Sequence, residues 1–119
     1  MINGSHVLLY SKDPDADRAF FSDVLALRSV DAGHGWLIFA LPPAELAVHP
    51  ADAESGGNKF LHTQLYFMCD DLPATIKSLE AKKIKCTEVH QERWGIVTTI
   101  KLPSGGEIGL YQPKHPKAI

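Results

Sequence analysis

At 119 residues the chain fits one domain and can enclose a real core. Its formal net charge of −2, with Lys and Arg scattered apart from "KKIK" at 82–85, argues against a nucleic-acid partner, which would call for a basic stripe. No run approaches the ~18 consecutive apolar residues of a membrane-spanning helix. The opening "MINGSHVLLYSKD" lacks the basic region and long apolar run of a signal peptide. Two cysteines, Cys69 and Cys86, do not make a disulfide framework. A cytoplasmic protein with reduced thiols and no membrane partner is expected.

The first element in the chain is a β-rich run, "SHVLLYSK" at 5–12. "DPDADRAFFSDVLAL" then carries Asp13 as an N-cap and Pro14 at the first helical position. Its Ala16, Phe20, Val24 and Leu27 form one apolar stripe at helical spacing. "DAGHG" breaks the chain, "WLIFAL" (36–41) reads as a strand, and "AELAVH" (44–49) reads as another after a Pro-Pro stop. "PADAESGGNK" is polar and glycine-bearing, the composition of a linker. The order then repeats. "FLHTQLYFM" (60–68) predicts a strand, and Asp71 heads a helix with Leu72, Ile76 and Leu79 on one face. "IKCTEVH" (84–90), "WGIVTTIKL" (94–102) and "EIGLYQP" (107–113) predict three more strands.

"HVLLY" at 6–10 and "HTQLY" at 62–66 head the two halves in the same way, each ahead of an Asp-capped helix. The expectation is an α+β chain of two βαβββ modules, about 4–50 and about 60–113, joined by a linker at about 51–59 within a single domain spanning 1–119.

His6 and His62 hold equivalent places in the two halves, so pseudo-symmetry would let them converge on a shared cleft. Two imidazoles and a carboxylate make a common site for a divalent transition metal. Glu45 and His49 share a strand face, and either is a candidate third ligand. His34, His90 and His115 read as surface residues, and both cysteines as packing. Trp36 and Trp94 head corresponding strands, and Gly95 leaves space beside Trp94 to line a cleft. On the last strand, alternation puts Glu107, Gly109 and Tyr111 on one face.

The double βαβββ order resembles the vicinal oxygen chelate superfamily, which holds glyoxalase I, extradiol dioxygenases, fosfomycin-resistance transferases and bleomycin-resistance proteins. The resemblance covers essentially the whole chain. Its most specific pieces are "HVLLYSKDPDADRAFFSDVLAL", "HTQLYFMCDDLPATIKSLEAKKIK" and "PSGGEIGLYQP", the last close to the family's closing D-P-x-G-N-x-I-E-L. It implies paired half-barrels around a cleft, a small-molecule ligand and a homodimer. Carried over by position, it implies metal ligands at His6, Glu45 and His62. The final ligand glutamate of "I-E-L" falls on Gly109, which weakens the dioxygenase and fosfomycin-transferase assignments.

Two functions follow from the resemblance. In the first, Zn, Ni, Mn or Fe at His6, Glu45 and His62 chelates two adjacent oxygens of a small substrate, and Glu107 serves as catalytic base in lyase or isomerase chemistry. Oxygen-dependent ring cleavage would need Fe or Mn. In the second, the protein binds a small molecule without metal, in a dimer cleft lined by Trp36, His49, Tyr66, Trp94 and Tyr111, with Glu107 facing a cationic or polar group of the ligand.

Overall fold

The computed structural model describes residues 1–50 and 62–119. Helix α1 runs Pro14–Asp23 and helix α2 runs Leu72–Ala81. Both start as their sequences dictate. The Asp13 carboxylate accepts from the Ala16 N–H at 3.2 Å, and the Asp71 carboxylate accepts from the Ala74 N–H at 3.1 Å. Each satisfies an N–H that the first helical turn leaves without an intrahelical partner. Pro14 and Pro73 sit in those first turns, where a missing N–H costs nothing.

The second module forms the full βαβββ unit. Strand β3 (Tyr66–Met68) leads into α2, and β4 (His90–Gln91), β5 (Gly95–Lys101) and β6 (Glu107–Pro113) follow. They make one sheet in the order β3-β6-β5-β4, with β3 parallel to β6 and the other pairs antiparallel. The segment before β4 is held more loosely, through a bridge from Cys86 to Ile100 and a Thr87–Thr98–Thr99 hydroxyl network.

The first module contributes α1 and a hairpin, β1 (Ser29–Asp31) with β2 (Leu37–Phe39). Asp31 sets that hairpin's turn by accepting from the N–H groups of Gly33 and Gly35 at 2.7 and 3.2 Å. Two expected strands are not formed: residues 5–12 and 44–49 carry no strand. The physical reason is the lack of a ladder. In module two, β6 offers β3 a row of backbone partners, whereas the corresponding first-module segments find none among the described residues. The expected linker at 51–59, with Phe60 and Leu61 of the expected strand, lies outside the described residues.

Both modules build one core. Phe20 and Phe21 from α1 join Leu72 and Leu79 from α2 and Ile100, Leu102, Ile108 and Leu110 from the sheet side. Val24 and Leu27 pack against them, as the helical stripe predicts, while buried Phe21 and Asp17 widen that stripe. Two polar ties reinforce the union. Asp17 accepts from the Ser104 N–H at 3.0 Å and from its hydroxyl at 2.7 Å. The Lys82 ammonium donates to the Val24 carbonyl at 3.1 Å, where a cation suits the negative end of α1. Among the described residues no helix is long and apolar enough to cross a membrane.

Candidate functional site

Alternation along β6 separates a core face from an open face. Ile108 and Leu110 are buried in the core, and Gln112 reaches α2, accepting from the Leu72 N–H at 2.9 Å. Glu107, Gly109 and Tyr111 take the opposite face. The register brings Tyr66 opposite Gly109 and Met68 opposite Tyr111 from β3, with Thr99 and Val97 opposite them from β5. Directly paired residues share a sheet face, so these side chains make one surface.

An aromatic cluster dominates it. The ring of Tyr111 meets Tyr66 at 5.8 Å and 87°, and Trp94 at 5.5 Å and 76°, both edge-to-face arrangements. Tyr66 is 38% exposed and Trp94 42%, so both ring systems are open to solvent. Gly95 is needed beside Trp94: a Cβ there would sit 2.6 Å from the Gln112 carbonyl and 3.2 Å from the Tyr111 ring.

Gly109 is needed for a different reason. The Tyr66 ring lies directly over it, and a Cβ at 109 would run into that ring. The space that a glutamate side chain would take at this position is filled by tyrosine.

The C-terminal segment closes one side of the cluster. Its Lys114 N–H donates to the Trp94 carbonyl at 2.8 Å. His115 packs on Tyr111 with ring centres 6.0 Å apart, and its Nε2 lies 3.2 Å from the Tyr111 hydroxyl. The other nitrogen, Nδ1, is 2.7 Å from the Pro116 carbonyl, which can only accept. In the neutral ring Nδ1 therefore carries the hydrogen, and Nε2 accepts from Tyr111 O–H.

Glu45 completes the group. One carboxylate oxygen accepts from the Ala118 N–H at 2.8 Å, and the other is 3.8 Å from His115 Nε2. Its side chain is only 17% exposed. Burial raises the Tyr111 hydroxyl pKa above the usual phenol range, and the adjacent Glu45 carboxylate raises it further.

The residues expected to hold a metal are thus distributed differently. Glu45 is engaged with the C-terminal segment, while His6, His62 and His49 are exposed. Among the described residues, no group of three or more His, Cys, Asp or Glu is close enough to hold a metal ion. Glu107 is exposed opposite Lys101. Of the expected cleft aromatics, Tyr66, Trp94 and Tyr111 come together. Trp36 instead lies against α1, with the Arg18 guanidinium 4.7 Å from its ring centre. His115, read from sequence as a surface residue, belongs to the cluster. No periodicity could have placed it there, because it follows the last strand.

No protein-family model matches the chain, and no curated protein matches it. Solved structures do. It is similar to a lactoylglutathione lyase from Agrobacterium tumefaciens, with a TM-score of 0.62 at 23% identity over 92% of each chain. It is similar to TnmS3, an antibiotic binding protein from Streptomyces sp. CB03234, with a TM-score of 0.62 at 22% identity over 96% of this chain and 100% of that one. A glyoxalase/bleomycin resistance protein from the same Streptomyces strain matches with a TM-score of 0.58 at 20% identity, over 87% and 95% of the two chains. The chain shares the fold of these glyoxalase and antibiotic-binding structures.

Proposed function

We propose that the protein binds a small aromatic molecule without a metal ion, on the surface made by Tyr66, Trp94 and Tyr111. One observation carries this reading: the Tyr66 ring covers Gly109, the position where the resemblance expects a ligand glutamate. A metal-binding carboxylate there would need both a different residue and a displaced tyrosine. Flat, solvent-open rings beside a small polar group are what a binding surface for a ring-bearing molecule requires. Likeness to an antibiotic binding protein agrees with this reading, as likeness to a lyase agrees with the metal-dependent one.

The test is metal content by elemental analysis, on protein purified without an affinity tag or chelator, together with titration of aromatic ligands. Metal well below one equivalent, with aromatic binding that Trp94→Ala weakens, is the expected result. Near-stoichiometric metal that His62→Ala abolishes would overturn the reading in favour of a divalent-metal enzyme using His6, Glu45 and His62.

The working form proposed is a homodimer in the cytoplasm. Val7, Leu8, Leu9 and Tyr10 are exposed on a segment that the sequence marks as a strand, as are Leu46 and Val48 on the other unpaired segment. Apolar strand segments without a ladder are stabilised by pairing with another chain.

A further inference from the structure

We infer that the Tyr66–Trp94–Tyr111 surface selects planar ligands that carry a positive charge, with Glu45 as the counter-charge. The inference rests on the binding reading above and narrows its ligand class.

Three observations combine. The first is the aromatic geometry. Tyr66 and Trp94 both stand nearly perpendicular to Tyr111, at 87° and 76°, so the ring faces do not all stack upon one another. Ring faces carry the negative lobe of the aromatic quadrupole and attract cations.

The second is Glu45, a largely covered carboxylate that lies against the Tyr111 hydroxyl. Among the described residues no Lys or Arg forms an ion pair with it. Its other contacts are the Ala118 N–H and His115. His115 would offset the carboxylate only as an imidazolium, across 3.8 Å. A largely covered carboxylate that, among the described residues, no Lys or Arg offsets gains most from a cation brought to it, since low local polarity strengthens the attraction.

The third is anchoring. The Ala118 N–H holds one Glu45 oxygen, and Lys114 ties the same segment to Trp94. The carboxylate is thereby fixed relative to the rings before any ligand arrives, which reduces the ordering cost of binding.

The class is distinct from that of a metal chelator. The ligand needs a flat ring to lie against Tyr66 or Trp94 and a cationic nitrogen directed toward Tyr111 and Glu45. Vicinal oxygens are not required.

The experiment compares three probes of one shape by isothermal titration calorimetry at mildly alkaline pH: N-methylacridinium, neutral acridine and acridine carboxylate. The expected order is cation, neutral, anion, with the cation bound about tenfold tighter than the neutral ring, a difference typical of a partly desolvated cation–π contact beside a carboxylate. Glu45→Gln should narrow that gap, and added salt should narrow it in the unaltered protein. Equal binding of cation and neutral ring would overturn this inference while leaving the aromatic binding reading intact. Failure of all three probes to bind would overturn both. The wild-type comparison decides the matter even if Glu45→Gln does not fold.

Discussion

The ring of Tyr66 lies across Gly109, its direct partner in the parallel register of β3 on β6. Each residue explains the other. Tyrosine can occupy the open sheet face only because its neighbour has no side chain, and glycine, which weakens a strand by itself, is retained under a large ring.

That pairing predicts coupled mutational effects. Gly109→Ala should cost about 1–3 kcal/mol, the usual penalty for overpacking, since the new methyl meets a ring that must rotate away. Tyr66→Ala in the same chain should recover much of it. Urea unfolding of the two single variants and the double variant measures the interaction. Simply additive costs would contradict the contact.

Asp17 ties α1 to the turn between β5 and β6, 87 residues away in sequence. Burial raises its pKa, but hydrogen bonds from the Ser104 side chain, Ser11 and the Ser104 backbone outweigh that and bring it below the ordinary 3.8. The sign follows: a depressed folded pKa adds stability above the unfolded value, and that stability disappears as pH falls through the folded one. Asp17→Asn should cost about 1–3 kcal/mol near neutral pH, the range for disturbing a buried hydrogen-bonded group. The difference from wild type should shrink in acid below about 3.8. Denaturant titrations across pH check this, and a gap that stays constant into acid would refute it.

Cys69 and Cys86 should be slow to alkylate near neutral pH. Burial raises both thiols above the ordinary 9.0; Asp70 adds to the effect at Cys69 despite a hydrogen bond with Thr75, and Glu80 adds to it at Cys86. Little thiolate is then present to react. Iodoacetamide labelling followed by mass spectrometry should show modification rising through the alkaline range. Rapid labelling at neutral pH would mean that these thiols are activated rather than packed.

Leu72 is 0% exposed where α2 meets the sheet. Leu72→Ala should destabilise by about 2–5 kcal/mol through lost transfer energy and a residual cavity. A loss well under 1 kcal/mol in thermal or urea unfolding would show that the helix–sheet junction is not the shared core.

The homodimer proposal predicts sedimentation at about twice the 13.1 kDa chain mass. Replacing Leu8 and Leu9 by Ser should shift the population toward monomer. A strict monomer at micromolar concentration in the wild type would refute the dimer.

Much of the architecture was legible because its causes are local. Asp13 and Asp71 announce helix starts through the chemistry of free N–H groups, and both cap as expected. Alternation along 107–113 assigns Ile108 and Leu110 inward and Tyr111 to the opposite face, and the strand boundaries match those residues. The unpaired segments at 5–12 and 44–49 read equally well as strands. Strand propensity expresses a tendency to pair, and it cannot supply the neighbour.

The sequence alone determined which residues face the open side of the last strand, because a strand's period of two is set by backbone geometry. It also determined that a glycine stands where a ligand carboxylate was expected. Only the tertiary structure decided what that glycine accommodates. Tyr66 reaches it through the register of two strands far apart in the chain, and Glu45 reaches His115 and Ala118 through the packing of one module against the other's C-terminal segment. Such contacts depend on distances between elements, and no local pattern of residues encodes those distances.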